Sequence, residues 1–466
     1  MSPFVSEADR ALAEQFLFSR IDYERAAAIP YGKRDFKLDR MVRFLARLGN
    51  PQVGLNIVHI AGTKGKGSTA AMIASVLTAA GYRTGLYTSP HLDRVEERLR
   101  IDGSQVAGDD FVELIERIRP IVAELDAVAA EELPPSHGPT YFEIVTAMAL
   151  VYFADNRVDW AVLEVGLGGR LDSTNVCAPA VSVITSISFD HTKQLGTTLA
   201  AIAAEKAGII KPGVPVVSGV VADEPRAVIR QMAAQRGCRL VERGVDFDVT
   251  YRPGTRASPA EPCSSIDFAS RLPRRAQSLR NVELSLLGEH QAANAAVALA
   301  TLEELRAQGC HFDEADVRCG LAGVRWQARV EVVGQRPTVV LDAAHNVASV
   351  AALLSTLDDN FTARRRILIF ATTRDKDVRG MLELLLPKFD TTICTRYQQN
   401  PRGVPVEELR QVAAELGGTD CRECPTSLEA WRVGRQLAAA DDLIVITGSF
   451  FIAAELGGLA RTGPWC

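Results

Sequence analysis

The stretch Val58-His-Ile-Ala-Gly-Thr-Lys-Gly-Lys-Gly-Ser-Thr69 decides how the rest of the chain is read. The apolar run from Asn56 to Ala61 reads as a buried strand. It breaks at Gly62, Gly65 and Gly67, and Ser68 to Ala80 then reads as a helix rich in Ala, Met, Ile and Leu. A strand, a glycine loop and a helix in this order make a phosphate cradle. Glycines let backbone N–H groups converge on an anion, the helix N-terminus adds partial positive charge, and a lysine adds a full one. Lys66 is the candidate lysine and Ser68 the candidate magnesium-ligand hydroxyl. Against the general pattern G-x-x-x-x-G-K-[ST], Ile60 stands where the first glycine belongs and Gly67 where Ser or Thr belongs. A glycine-rich turn without nucleotide, with Lys64 as a solvated loop charge, stays open for this segment taken alone.

Working outward, strand-like and helix-like segments alternate from Asn56 to about Leu240. Strands are expected at 57–61, 84–87, 160–165, 181–187 and 214–218, with helices at 109–126, 140–155 and 199–208. Apolar strands separated by helices indicate a parallel sheet covered on both faces. Residues 252–280 lose periodicity to Pro, Ser and Arg, which predicts a polar insertion or irregular hairpins with a mobile loop. A helix resumes over 288–307, and a connector is expected near 323–327. A second alternating series places strands at 338–342, 366–371, 391–395 and 443–447, a smaller α/β domain. In doubly wound sheets ligands bind beyond the carboxyl ends of strands. The polar groups at such ends are Lys64–Ser68, Ser89-Pro90-His91, Glu164, Asp190-His191 and Asp342-Ala-Ala-His345-Asn346.

At 466 residues the chain exceeds one core, so two domains are expected. A net charge of −5 gives no electrostatic case for nucleic acid, and no apolar run reaches a membrane-spanning length. Met1 to Arg20 carries Glu7, Asp9 and Glu14 and lacks an apolar signal core, which argues against export and for the cytoplasm. Nine scattered cysteines suit reduced thiols, and the lone Cys421-Arg-Glu-Cys424 reads as two incidental thiols.

Three residues invite chemistry. Glu164 ends an apolar strand, where an ionised carboxylate needs a cation beside it; magnesium answers that need, and a salt bridge to Arg170 is the plain alternative. His191 is either a hydrogen-bonded core residue or a site group. Lys206 sits among small apolar residues, where burial disfavours its charge; a neutral amine can add carbon dioxide, and a lysine paired with Glu205 is the plain alternative.

Taken together, His59-Ile-Ala-Gly-Thr-Lys-Gly-Lys-Gly-Ser68, Thr88-Ser-Pro-His-Leu92, Glu97-Arg98, Glu164-Val-Gly-Leu-Gly-Gly-Arg-Leu-Asp-Ser-Thr-Asn175, Asp190-His-Thr192, Glu205-Lys-Ala-Gly208 and Asp342-Ala-Ala-His-Asn346 resemble folylpolyglutamate synthase. Bacterial members of that family often also act as dihydrofolate synthase, and it belongs to the Mur ligase superfamily. The resemblance runs from about Tyr31 to Glu455. It implies an N-terminal P-loop domain of Mur-ligase type over 1–325, with a doubly wound, mostly parallel sheet. A smaller Rossmann-like α/β glutamate-ligase domain over 326–466 would follow. Two departures stand out: the family usually has Asn at Lys64 and Gly at Ala343.

The implied activity is an ATP-dependent amide ligase acting through an acyl phosphate. Its substrates would be folate or dihydropteroate, L-glutamate and ATP, and its expected form a monomer. By similarity, Gly62, Thr63, Lys64, Gly65, Lys66, Gly67, Ser68 and Thr69 bind nucleotide. Ser68, Glu164 and Ser89 hold a first magnesium, and His191 with carbamylated Lys206 organises a second and the acyl phosphate. Arg329 would reach ATP phosphates, Asp342 and His345 would contact nucleotide and orient glutamate, and Asn294 would contact adenine. Ser449 is a weaker match, equally read as a helix N-cap. The rivals are a Mur-type ligase acting on a cell-wall precursor and a P-loop kinase or nucleotide switch. The blocks Thr88–Leu92 and Leu171–Asn175 favour the folate branch.

Overall fold

The computed structural model describes residues 6–23, 38–132, 136–254, 264–272, 278–398 and 400–462. It packs as two compact α/β units. One comprises 1–249, 268–279 and 293–323, and the other 250–267, 280–292 and 324–466. The second unit therefore takes in two segments that precede residue 326 in sequence.

The first unit is built on an eight-stranded sheet. Its strands are β1 (Ile57–Ala61), β2 (Thr84–Tyr87), β3 (Leu99–Ile101), β4 (Ser104–Gln105), β5 (Trp160–Glu164), β6 (Val181–Ile184), β7 (Val216–Ser218) and β8 (Leu240–Glu242). The order is β4-β3-β2-β5-β1-β6-β7-β8. β2, β5, β1, β6, β7 and β8 run parallel, while β3 and β4 add an antiparallel edge. Every residue of β1, β5 and β6 is buried, as strands covered on both faces require. One face packs Ile57, Ala161 and Leu163 against Ile144 and Met148 of the helix Tyr141–Asp155. Further along the same face, Ala61, Ile184 and Val216 pack with Ala207, Ile209 and Ile229. β1 lies between β5 and β6, so the loops after all three leave the same edge of the sheet.

Two of the boundaries that differ from the sequence expectation do so for one reason. The helix expected from Ser68 begins at Lys66, with Gly65 as its N-cap. β6 ends at Ile184 rather than 187, because Thr185 to Ser188 turn their polar groups onto the glycine loop. Both changes serve the loop. The segment 252–280 is more regular than expected. β9 (Phe247–Arg252), β10 (Ser264–Ser270) and β11 (Leu279–Leu284) form a small sheet in the order β11-β10-β9. Ser264, Ile266, Phe268 and Ser270 alternate as its buried residues, a period-two signal that flanking prolines and arginines conceal. Residues 255–263 and 273–277, where the mobile loop was expected, lie outside the described residues.

The second unit carries β12 (Glu331–Gln335), β13 (Thr338–Leu341), β14 (Arg366–Phe370), β15 (Thr391–Cys394), β16 (Cys421–Glu423) and β17 (Leu443–Thr447). Their order is β12-β13-β17-β14-β15-β16, parallel except for β12. Cys421 thus opens an edge strand, and Cys421 and Cys424 are free thiols.

Candidate active site

The glycine loop is clamped from the side by the loop after β6. Thr63 N–H donates to Ser186 O at 2.7 Å and Lys64 N–H to Ser186 Oγ at 3.0 Å. The hydroxyls of Thr185 and Ser186 donate in return to Lys64 O at 2.7 and 3.0 Å. Two glycines are obligatory. A Cβ on Gly62 would lie 1.9 Å from Thr185 Oγ1. Gly65 has φ +83°, and a Cβ there would lie 2.1 Å from Asn294 Oδ1. The left-handed N-cap lets the helix start abruptly, so the N–H groups of its first turn remain available to an anion.

Glu164, at the end of β5, is buried beside this loop. Its Oε2 accepts from Ser89 N–H at 3.1 Å, and its Oε1 lies 3.9 Å from Lys66 Nζ. Ser68 is buried in the first helical turn, and the buried Thr69 hydroxyl next to it has no hydrogen-bond partner among the described residues. The plain alternatives for Glu164 and Lys206 are answered together, because Arg170 and Glu205 pair with each other at 2.8 Å.

Lys206, in the helix Leu199–Ala207, is buried and donates to Gly62 O at 2.9 Å. Burial, reinforced by the neighbouring charge of Lys66, pulls its pKa down to about 7 against the partial opposition of Asp190. A lysine so placed offers a neutral amine at physiological pH. His191 is held differently. It takes φ +49°, is largely exposed, and has Nε2 3.8 Å from Asp190 Oδ1. Lys64 Nζ reaches Asp190 Oδ2 at 2.7 Å. Asp190 therefore faces both Lys64 and His191. Sequence reading placed it at a strand end beside His191 but gave it no role of its own.

Asp172 was also missed. It is buried and accepts from Gly166 and Leu167 N–H at 3.0 Å each, so it shapes the loop following Glu164. Burial nonetheless pushes its pKa up.

In the second unit, Asp342, at the end of β13, accepts from Val330 N–H at 2.9 Å and Ala344 N–H at 2.7 Å. Burial raises its pKa, with Arg329 as the leading opposing influence. Arg329 lies between Ala328 (φ +52°) and Val330 (φ +49°), and a β-branched residue rarely takes the latter conformation. His345 Nδ1 donates to Ala343 O at 2.9 Å, which fixes the orientation of the ring. Ser449 Oγ accepts from Ile452 N–H at 3.2 Å, the N-cap reading of that residue. Asn294 belongs to the first unit, against Gly65.

No group of three or more His, Cys, Asp or Glu among the described residues could hold a metal by itself. A buried carboxylate near the lysine of a phosphate loop, with a serine in the helical turn that follows, is instead the kind of donor set magnesium takes when phosphate oxygens complete its shell. The residues at Glu164 and Ser68 fit that group.

Comparison with known proteins finds two family domains in sequence order. Residues 60–302 match the Mur ligase middle domain and 328–450 the Mur ligase glutamate ligase domain. The dihydrofolate synthase/folylpolyglutamate synthase of Bacillus subtilis is 33% identical over 440 residues, covering 93% of this chain and 98% of that protein. A Mycobacterium tuberculosis folylpolyglutamate synthase complexed with ADP superposes with a TM-score of 0.86 at 34% identity, covering 98% and 99% of the two chains. Escherichia coli FolC in complex with DHPP and ADP gives 0.78 at 30% identity, covering 96% and 97%. No described helix is long and apolar enough to cross a membrane. The glycine loop clamped by the loop after β6, the carboxylate at the end of β5 and the two matched domains agree, and the chain belongs to the folylpolyglutamate synthase/dihydrofolate synthase family of Mur ligases.

Proposed function

We propose that this protein joins L-glutamate to a folate, and also to dihydropteroate, in an ATP-dependent reaction. The observation that carries this is the assembly of Lys66, Glu164 and Ser89 around a clamped glycine loop, with the buried Lys206 amine on Gly62 O. It is the equipment phosphoryl transfer needs, which is positioning and charge neutralisation rather than covalent help. A relative named for both synthase activities, together with similar structures solved with ADP, supports the substrate class.

ATP would lie with its phosphates on the N–H groups of Gly62 to Thr69, with Lys66 against them. A substrate carboxylate oxygen attacks the γ-phosphorus in line, a C–O–P link forms, and the bond to ADP breaks. The glutamate amine then attacks the acyl carbon, loses a proton, and phosphate leaves as the amide forms. Ser68, Glu164 and Ser89 would hold one Mg2+; His191 and Lys206, the latter as a carbamate, would hold a second. Bound there, Mg2+ neutralises charge on the phosphate oxygens. Lys206 suits carbamate formation because its amine is buried and close to neutral. Arg329 is assigned to ATP phosphates, Asp342 and His345 to nucleotide and glutamate, and Asn294 to the nucleotide. We infer a functional division near residue 325 and a cytoplasmic monomer acting on small molecules. Lys64 would add positive charge to the phosphate loop, tempered by its pairing with Asp190.

The test is glutamate-dependent formation of ADP and phosphate, with dihydropteroate and tetrahydrofolate assayed side by side. Turnover requiring glutamate and either acceptor supports the proposal. ATP hydrolysis indifferent to both refutes it.

A further inference from the structure

We propose that Phe450 is a positioning residue that holds the Arg329 guanidinium and the His345 imidazole against one aromatic ring. The inference rests on the roles assigned above to Arg329 and His345, and names what aims them.

The ring lies where two anchored segments meet. The Arg329 guanidinium carbon is 4.8 Å from the Phe450 centroid, and the His345 ring is 5.8 Å away, tilted by 42°. Phe450 opens the helix Phe450–Thr462 directly after β17 and is only half-buried. Its approach is fixed: Gly448 N–H donates to Ala344 O at 3.0 Å, next to His345, and Ser449 caps the helix. The backbone around Arg329 is fixed as well. Ala343 N–H donates to Ala328 O at 3.1 Å, and Asp342 holds Val330 N–H. Ala328 N–H donates to Glu331, which Arg461 grips through two bonds of 2.9 and 2.8 Å.

The Arg329 guanidinium is tied at one nitrogen, where Nη1 donates to Ala328 O at 3.0 Å, and the aromatic face fixes the plane it takes about that bond. A planar guanidinium stacks on a ring, and the attraction strengthens as water is removed. The same ring flanks His345, whose Nδ1 is already committed to Ala343 O. Truncating the ring would remove the face both side chains lie against while leaving their own hydrogen bonds and the backbone network in place. The sequence Thr447-Gly-Ser-Phe450 draws the eye to Ser449, but the residue touching the two polar groups is Phe450.

The experiment compares full-length Phe450→Leu, Phe450→Trp and Arg329→Lys, and the double variant Phe450→Leu/Arg329→Lys. Each is assayed for glutamate- and folate-dependent ADP formation, and for the rise in thermal midpoint with a nonhydrolysable ATP analogue. Leucine keeps apolar bulk, so the fold survives where alanine would endanger it. The expected result for Phe450→Leu is a KM for ATP raised about five- to tenfold with kcat also reduced. KM for the folate should be unchanged, and the analogue should bind more weakly by a similar factor. Tryptophan should restore these values to within about threefold, and Phe450→Leu should add little to Arg329→Lys. Leucine matching wild type, tryptophan no better than leucine, or effects that add fully to those of Arg329→Lys would each overturn the proposal. Absence of glutamate-dependent turnover in wild type would count against the functional reading instead, and analogue binding would still decide the role of Phe450.

Discussion

His59 makes folding of this protein sensitive to acid. It lies in the middle of β1 and is fully buried. Its Nε2 meets Thr174 Oγ1 at 2.8 Å, and that hydroxyl donates to Asp172 Oδ1 at 2.5 Å. The threonine proton is thus committed, so Nε2–H is the donor to it and Nδ1 carries a bare lone pair. That Nδ1 has no partner among the described residues. Burial, with Lys211 adding to it, pulls the His59 pKa from 6.5 down to about 3. The folded chain therefore refuses a proton that the unfolded chain takes up below pH 6.5. Stability from this group is complete above 6.5 and is lost as pH falls toward 3. Each pH unit within that window costs about 1.4 kcal/mol, so going from about pH 7.5 to about pH 5 removes about 2 kcal/mol. His59→Gln can keep a donor to Thr174 without the titration. In urea unfolding at the two pH values, wild type should lose about 2 kcal/mol more than the glutamine variant. Other titrating groups contribute equally to both proteins and cancel. Parallel pH dependences would refute the reasoning, because they would mean that His59 is protonated, or hydrated, in the folded state.

Glu164→Gln should weaken magnesium-dependent turnover on the order of a hundredfold or more, and a wild-type rate would defeat the metal assignment. Lys206→Ala should lose most ligase activity while an ATP analogue still binds, with no restoration by bicarbonate; retained turnover would remove the carbamate role. Gly65→Ala should cost about 1–2 kcal/mol from its left-handed φ alone. The displaced Asn294 amide should add to this and weaken nucleotide binding, so unchanged denaturation and affinity would contradict the loop geometry.

Much of the architecture was legible from local patterns. β1, β2 and β17 fall where apolar runs predicted them, because strands buried on both faces write their limits in composition. The glycine loop was legible because only glycine tolerates φ +83° against an asparagine side chain. The misjudged ends, at Ser68 and Ile187, lie where side-chain hydroxyls and the cap conformation outweigh local propensity.

The sequence by itself determined that a strand, a glycine loop and a helix would form, that polar groups would gather at strand ends, and which family's motifs the chain carries. It did not determine which of those groups would meet. Lys206 reaches Gly62 across 144 residues and Lys64 reaches Asp190 across 126, while Arg170 takes the Glu205 carboxylate that local reading offered to Lys206. Such pairings depend on strand order. β1 inserted between β5 and β6 brings three distant loops to one edge, and no periodicity in the chain encodes that adjacency.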